Sequence, residues 1–150
     1  MIKERSDCTF YCITKRPERI AECIPDLKEY PNLLIHCTAE NQHCFDERMP
    51  VYLALDLNEA GVVIEPMLER IDMSRYIDRI DAVSVGGESG EDARILDFKW
   101  VKEIREQCKK AQVRFSFHQT GARILVNGKL YEIPRNHQHS QAAKAFRNQY

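Results

Sequence analysis

Residues 82–119 read AVSVGGESGEDARILDFKWVKEIREQCKKAQVRFSFHQ. Three patterns follow one another in this stretch. AVSVGG (82–87) is a short run of small and β-branched residues, a strand signal. Asp97 stands as a helix cap, and FKWVKEIREQCKKA (98–111) sets Val101, Ile104, Cys108 and Ala111 along one helical face. Lys102/Glu106 and Glu106/Lys110 form i,i+4 pairs on its wet side. VRFSFHQ (113–119) is strand-like again. Strand, helix and strand in succession make the unit of a parallel sheet, because parallel neighbours need a crossover connection.

The same alternation extends toward the N-terminus. CTFYCIT (8–14), LLIHCT (33–38) and AGVVIEP (60–66) read as strands. PERIAECIPDLKE (17–29) is expected to be helical, with Ile20, Cys23, Ile24 and Leu27 inward and Pro25 breaking or kinking it. Asn41 is expected to cap a helix carrying Phe45, Met49, Tyr52 and Leu53 at helical spacing. MLERIDMSRYI (67–77) reads as a short helix or an irregular crossover. Beyond residue 122 the pattern changes. ILVNGKLYEI (124–133) holds Asn-Gly between two apolar runs, a hairpin signal, and SQAAKAFRNQY (140–150) reads as a final helix capped by Ser140. The expectation is a single α/β domain over 1–150: βα units to residue 122, then a hairpin and helical tail. Strand starts 21 to 31 residues apart accommodate right-handed crossovers.

Composition sets the limits. The chain has 150 residues, 43% hydrophobic and 30% charged, which describes a globular protein with room for a core. No apolar run reaches the ~20 residues of a membrane span. MIKERSD at the start lacks the apolar core of a secretory signal, so a cytoplasmic location is expected. The formal net charge of −1 is uneven. From Arg123 onward there are five basic residues (Arg123, Lys129, Arg135, Lys144, Arg147) and one acid, Glu132. A nucleic-acid partner through this tail ranks last, since its aromatics are few (Tyr131, Phe146, Tyr150). Six cysteines occur, none in a C-x-x-C pair. Cys8 and Cys12 would share a strand face, and Cys23 and Cys108 fall on helix stripes. Most are read as small core residues rather than disulfides or metal ligands. His137 and His139 have no companion pattern for a metal, and no metal is assigned.

In a parallel sheet all strands point one way, so the loops after them converge on one rim, where ligands bind. The residues there are Lys15 and Arg16 after the first strand, and Glu40 and Asn41 after the second. Glu65 follows the third; Gly86, Gly87, Glu88 and Ser89 the fourth; His118 and Gln119 the fifth. A Lys-Arg pair, three glutamates and a histidine exceed what polar loops require. Gly86 and Gly87 allow close backbone approach, and their N–H groups could cradle an anion or carboxylate. Neighbouring carboxylates are expected to have coupled, raised pKa values, which makes Glu65, Glu88 and His118 the candidates for proton transfer.

The motifs TKRPER (14–19), AENQ (39–42), EPML (65–68), GGESGEDAR (86–94), the helix around Trp100 and FHQTG (117–121) together carry a resemblance over roughly residues 5–145. They resemble the C-terminal part of a phage-associated, radical-SAM-like barrel family. Its members are encoded beside three-Cys-motif partner proteins and are often left as a domain of unknown function. The resemblance implies a partial (β/α) barrel of about five parallel strands with flanking helices, plus a C-terminal hairpin and helix. It also implies an N-terminal half with a cysteine motif suited to an iron–sulfur cluster, which this chain is expected to lack. A 4Fe-4S cluster and S-adenosylmethionine chemistry would come only with that half. Two departures stand out: His118 where the family usually has lysine, and HCTAEN where it has Gly-x-Ser-x-Glu-Asn. GGE (86–88) also resembles the methionine-amine motif of radical SAM enzymes, but comes late in the strand order for that role.

Two functions follow. In the first, the chain is the ligand-binding half of such a protein, with Lys15 and Arg16 neutralising the anionic end of a nucleoside- or amino-acid-like ligand. In the second, it is a free-standing, non-enzymatic phage-type protein that binds and modulates a host protein or nucleoprotein, for instance a defence nuclease. Its open sheet edge would then be covered by a partner or by self-association.

Overall fold

The computed structural model describes residues 1–146. The end of the expected final helix, 147–150 with Arg147 and Tyr150, lies outside the described residues. Five strands form one sheet: β1 (Phe10–Thr14), β2 (Leu33–Thr38), β3 (Gly61–Ile64), β4 (Ala82–Gly86) and β6 (Arg114–Gln119). They lie side by side in chain order and every neighbouring pair is parallel. The sheet is open. It does not close into a barrel, and β1 and β6 are its two edges.

Strand pleating explains the two faces. Register puts Leu33, Ile35, Cys37, Val62, Ile64, Val83 and Val85 on one side, all buried. They share a core with Phe45, Met49 and Tyr52 of α2 (Gln42–Tyr52) and with Val101, Ile104 and Cys108 of α3 (Phe98–Ala111). Both helices start where expected: Asn41 accepts from the Cys44 N–H at 2.8 Å, and Asp97 from the Lys99 N–H at 2.8 Å. The opposite face carries Tyr11, Ile13, His36, Thr38, Val63, Ser84 and Ser116, which among the described residues lie outside the hydrophobic core cluster.

The first crossover is more broken than expected. It holds a 3-10 turn (Pro17–Arg19), the four-residue α1 (Ile20–Cys23) and a second 3-10 turn (Leu27–Glu29). Pro25 is the cause: it has no N–H to donate and forces the residue before it, Ile24, to an extended ψ of 86°. Ile20 and Leu27 are buried as expected, but Cys23 is exposed. Cys8 lies before β1 rather than on it, and Cys12 is exposed, so the core reading of the cysteines holds fully for Cys37 and Cys108 alone.

The crossover at 67–77 is irregular, with a 3-10 turn only at Ile77–Arg79. Two glutamines replace the hydrogen bonds a helix would have made. Gln42 accepts from the Asp72 N–H (2.7 Å) and donates to the Asp72 carbonyl (3.1 Å). Gln107 accepts from the Met73 N–H (2.7 Å) and donates to the Ile71 carbonyl (3.0 Å).

The tail forms the expected hairpin, β7 (Arg123–Val126) and β8 (Lys129–Glu132), with Asn127 and Gly128 both at positive φ. A short strand not foreseen, β5 (Leu96–Asp97), runs parallel to β7 and ties the hairpin to the start of α3. The last helix, α4 (Gln138–Lys144), starts earlier than expected, and Ser140 is not its cap. Pro134 opens a 3-10 turn (Arg135–His137) that leads straight in, and the Ser140 hydroxyl donates back to the His137 carbonyl at 2.9 Å. Glu106 Oε1 lies 3.9 Å from Arg105 Nη1, its neighbour in the chain. Among the described residues no helix is long and apolar enough to cross a membrane.

One buried hydroxyl joins helix to sheet. Tyr52, with no exposed surface, donates to the Ile35 carbonyl (2.7 Å) and accepts from the Gly61 N–H (3.0 Å). Tyr52→Phe leaves both groups unpaired and is expected to cost about 1–3 kcal/mol in chemical denaturation.

Candidate functional site

The strand ends bring together several of the residues chosen from sequence. Glu65, just past β3, is the centre. The His118 Nδ1 lies 3.0 Å from Glu65 Oε2, and the Gln119 amide donates to Glu65 Oε1. Consecutive residues of a strand normally point to opposite faces. Here the β4–β6 pairing slips after Val85↔Phe117, so that Gly86 faces Gln119, and this bulge lets both side chains reach one carboxylate.

The glycines have a specific cause. A Cβ on Gly86 would sit 2.5 Å from the Glu65 Cδ, so the carboxylate occupies the space a side chain would take. Gly87 lies against the backbone of Thr120 and Gly121, and its N–H donates to the Gln119 carbonyl at 3.1 Å. That N–H is therefore engaged within the protein rather than held open for an anion. Gly90, at φ +115°, turns the chain in a conformation L side chains rarely adopt.

Around this centre the other residues form local pairs. Glu40 accepts from Lys15 (3.1 Å) and from Arg48 (2.8 Å), and Arg48 also donates to the Thr38 carbonyl (2.8 Å). Burial pushes the Glu40 carboxyl up, but its backbone hydrogen bond and these two cations outweigh it and hold it below the usual range. Glu88 is gripped by Arg94 through the backbone N–H, Nε and Nη2, and the Arg94 side chain holds its carboxyl down at about 2. The raised carboxylates expected from sequence are thus absent at Glu40 and Glu88, because each has its own cation. Asn41 spends its side chain on the α2 cap, and Arg16 is exposed, with its N–H on the Thr14 hydroxyl at 3.0 Å. The Ser89 Oγ lies 2.7 Å from Gln138 Oε1 and 3.0 Å from Gln119 Oε1, donating its one proton to one of them at a time.

A cleft of about 510 Å³ opens beside Glu65, on the face opposite the main core. Its lining is Tyr11, Ile13, Thr38, Val63, Glu65, Ser84 and His118. Sequence reading missed Tyr11, Arg48, Gln138 and His139. Strand alternation could have found Tyr11, two residues before Ile13 on the same face. Nothing local marks Gln138, which is 2% exposed and donates to the Ile133 carbonyl at 3.1 Å, or His139, whose ring stands edge-on to His118 at 4.7 Å.

The cysteines do not fit an iron–sulfur cluster. Cys37 and Cys108 lie in the core, where burial pushes their thiols up to about 12; Cys8 and Cys44 are half-buried, and Cys12 and Cys23 are exposed. Among the described residues no group of three or more His, Cys, Asp or Glu is placed to hold a metal ion.

The Glu88–Arg94 pair has a defined acid limb. A carboxyl whose folded pKa lies below its unfolded value of about 4.3 stabilises the protein above that value and loses the contribution as pH falls toward 2. The stability difference between wild type and Arg94→Gln should therefore be present at pH 6 and shrink between pH 4 and 2, as read by urea denaturation. In Arg94→Gln the Glu88 carboxyl should titrate near 4.3 by NMR.

No curated protein and no solved structure matches the chain. The family model described as "Protein of unknown function (DUF5131)" matches residues 1–146. That match spans all the strands and the whole rim just described, and the chain belongs to this family.

Proposed function

We propose that this chain is the ligand-binding C-terminal part of a radical-SAM-like, phage-type (β/α) barrel protein, and that its strand-end cleft takes an amino-acid-like or nucleoside-like ligand. The observation that carries this is the Glu65 carboxylate, shared by His118 and Gln119 and facing an open cleft. Five parallel strands in chain order, with polar residues on the face opposite the main core, support a section of barrel wall. Glu65 would accept from a ligand ammonium or hydroxyl. With Nδ1–H donated to Glu65, the His118 Nε2 keeps a lone pair and can take a proton. Lys15 and Arg48 put two cations on one carboxylate, Glu40, which leaves net positive charge on the rim for an anionic ligand end. Cluster and radical chemistry would belong to other residues than these, and no step is derived through them.

Isothermal titration with S-adenosylmethionine and with nucleotides tests this reading. Wild type should give heats, and Glu65→Gln should bind about 10- to 100-fold more weakly, the worth of a charge-assisted hydrogen bond. Equal heats in both proteins, or none in either, would contradict it.

A second reading is favoured by one observation. Among the described residues β1 pairs with β2 alone, so its outer edge is open, and Cys12 on that strand is exposed, an edge suited to a protein partner. A non-enzymatic role on a host protein or nucleoprotein would use that edge. Under this reading Cys12→Lys, on the same strand but outside the cleft lining, abolishes partner capture or self-association while leaving the titration heats unchanged.

A further inference from the structure

A second cluster of titratable side chains crosses the same sheet face nearer the strand starts. The Tyr11 Oη lies 2.9 Å from His36 Nδ1, His36 Nε2 lies 2.9 Å from Glu59 Oε1, and Arg114 donates to Glu59 Oε2. For a neutral imidazole the order of donors follows from its partners. A carboxylate only accepts, so Nε2 carries the imidazole proton; Nδ1 then holds a lone pair, and the Tyr11 hydroxyl must be the donor. His36 is 6% exposed, and its ring occupies the space a Cβ on Gly61 would fill. Burial is the larger influence on His36 and, against Glu59, holds it below its usual range, which favours the neutral ring.

A histidine buried only for packing would need no half-exposed partner. Tyr11 is 51% exposed and lines the cleft with Glu65 and His118, whereas Glu59 and Arg114 line a different, polar recess. The arrangement is a hydroxyl on a base, with the base oriented by a carboxylate, the pattern by which enzymes activate nucleophiles.

We propose that Tyr11 is a base-assisted nucleophile of the cleft, with His36 taking its proton and Glu59 holding the imidazole, and that it serves a neutral acyl group. In the step, Tyr11 Oη attacks the carbonyl carbon and its proton passes to His36 Nδ1. The new O–C bond forms as the bond to the leaving group breaks; that group departs with the electron pair and takes the proton back from His36. A neutral acyl carbonyl fits better than an anionic phosphoryl group, because the Glu65 carboxylate shares the cleft with Tyr11, and Ile13 and Val63 line it. Burial, and after it Glu59 and Glu65, holds the Tyr11 hydroxyl above its usual range, so Tyr11 reacts by handing its proton to His36 and not as a free phenolate.

The probe is N-acetylimidazole on the full chain, with acetylation at each tyrosine followed by peptide mass spectrometry from pH 6 to 9. Tyr131, 40% exposed on the hairpin, is the internal reference. An unassisted phenol reacts as its phenolate, so Tyr131 should speed up about 10-fold per pH unit. The groups facing His36 are Tyr11 from β1, Glu59 ahead of β3 and Arg114 from β6; at its usual charge state this set leaves Nδ1 free above the His36 titration. Tyr11 should therefore react at a nearly level rate there, about 100-fold faster than Tyr131 at pH 7. His36→Gln and Glu59→Gln should bring Tyr11 down toward the reference while Tyr131 stays unchanged. A wild-type Tyr11 that rises with pH like Tyr131 and reacts no faster overturns the proposal without any variant. No ligand is present in this experiment, so failure here with intact titration heats removes the role of Tyr11 and leaves the Glu65 reading standing.

Discussion

Glu65 can reach across to β6 because Gly86, its neighbour on β4, has no side chain. The carboxylate lies where a Cβ would be, 2.5 Å from its Cδ, and from there it binds both His118 and Gln119. The bulge at the end of β6 completes the arrangement by turning two consecutive side chains to one acceptor. Three strands thus converge on one carboxylate, which ties the open end of the sheet together and leaves a polar wall to the cleft.

Neighbouring charges at the rim are partitioned rather than pooled. Glu40 is matched by Lys15 and Arg48, and Glu88 by Arg94. Glu65 alone of the three faces uncharged or titratable donors, an amide and an imidazole. This distinction is chemical: a carboxylate beside a permanent cation is held ionised and charge-balanced, whereas one shared by an imidazole and an amide keeps an uncompensated charge and a partner that can exchange a proton.

Much of the fold was legible because it rests on short-range signals. The caps at Asn41 and Asp97, the Asn-Gly turn, the buried stripe of α3 and the run of parallel strands depend on spacing and local hydrogen bonding. The rim was legible for the same reason, since parallel strands bring their ends together wherever the intervening chain goes. What escaped were features set by distant partners. Gln42 and Gln107 stabilise a helix-free crossover through contacts about 30 residues away, and the β6 bulge depends on the register against β4. The role of the glycines was half visible. Their need for close approach could be read, but the approaching groups are Glu65 and the Thr120 backbone, not a ligand. Carboxylate pKa values were misjudged because Arg48 and Arg94 could not be placed from sequence order.

The most direct measurement is a double-mutant cycle between Gly86→Ala and Glu65→Ala by chemical denaturation. If the glycine exists to admit the carboxylate, Gly86→Ala should cost about 1–3 kcal/mol in wild type, the usual scale of overpacking. In the Glu65→Ala background, where the space is vacant, the same substitution should cost close to nothing, giving a coupling energy above about 1 kcal/mol. An equal cost in both backgrounds would contradict the account, since Gly86 would then be answering some constraint other than Glu65.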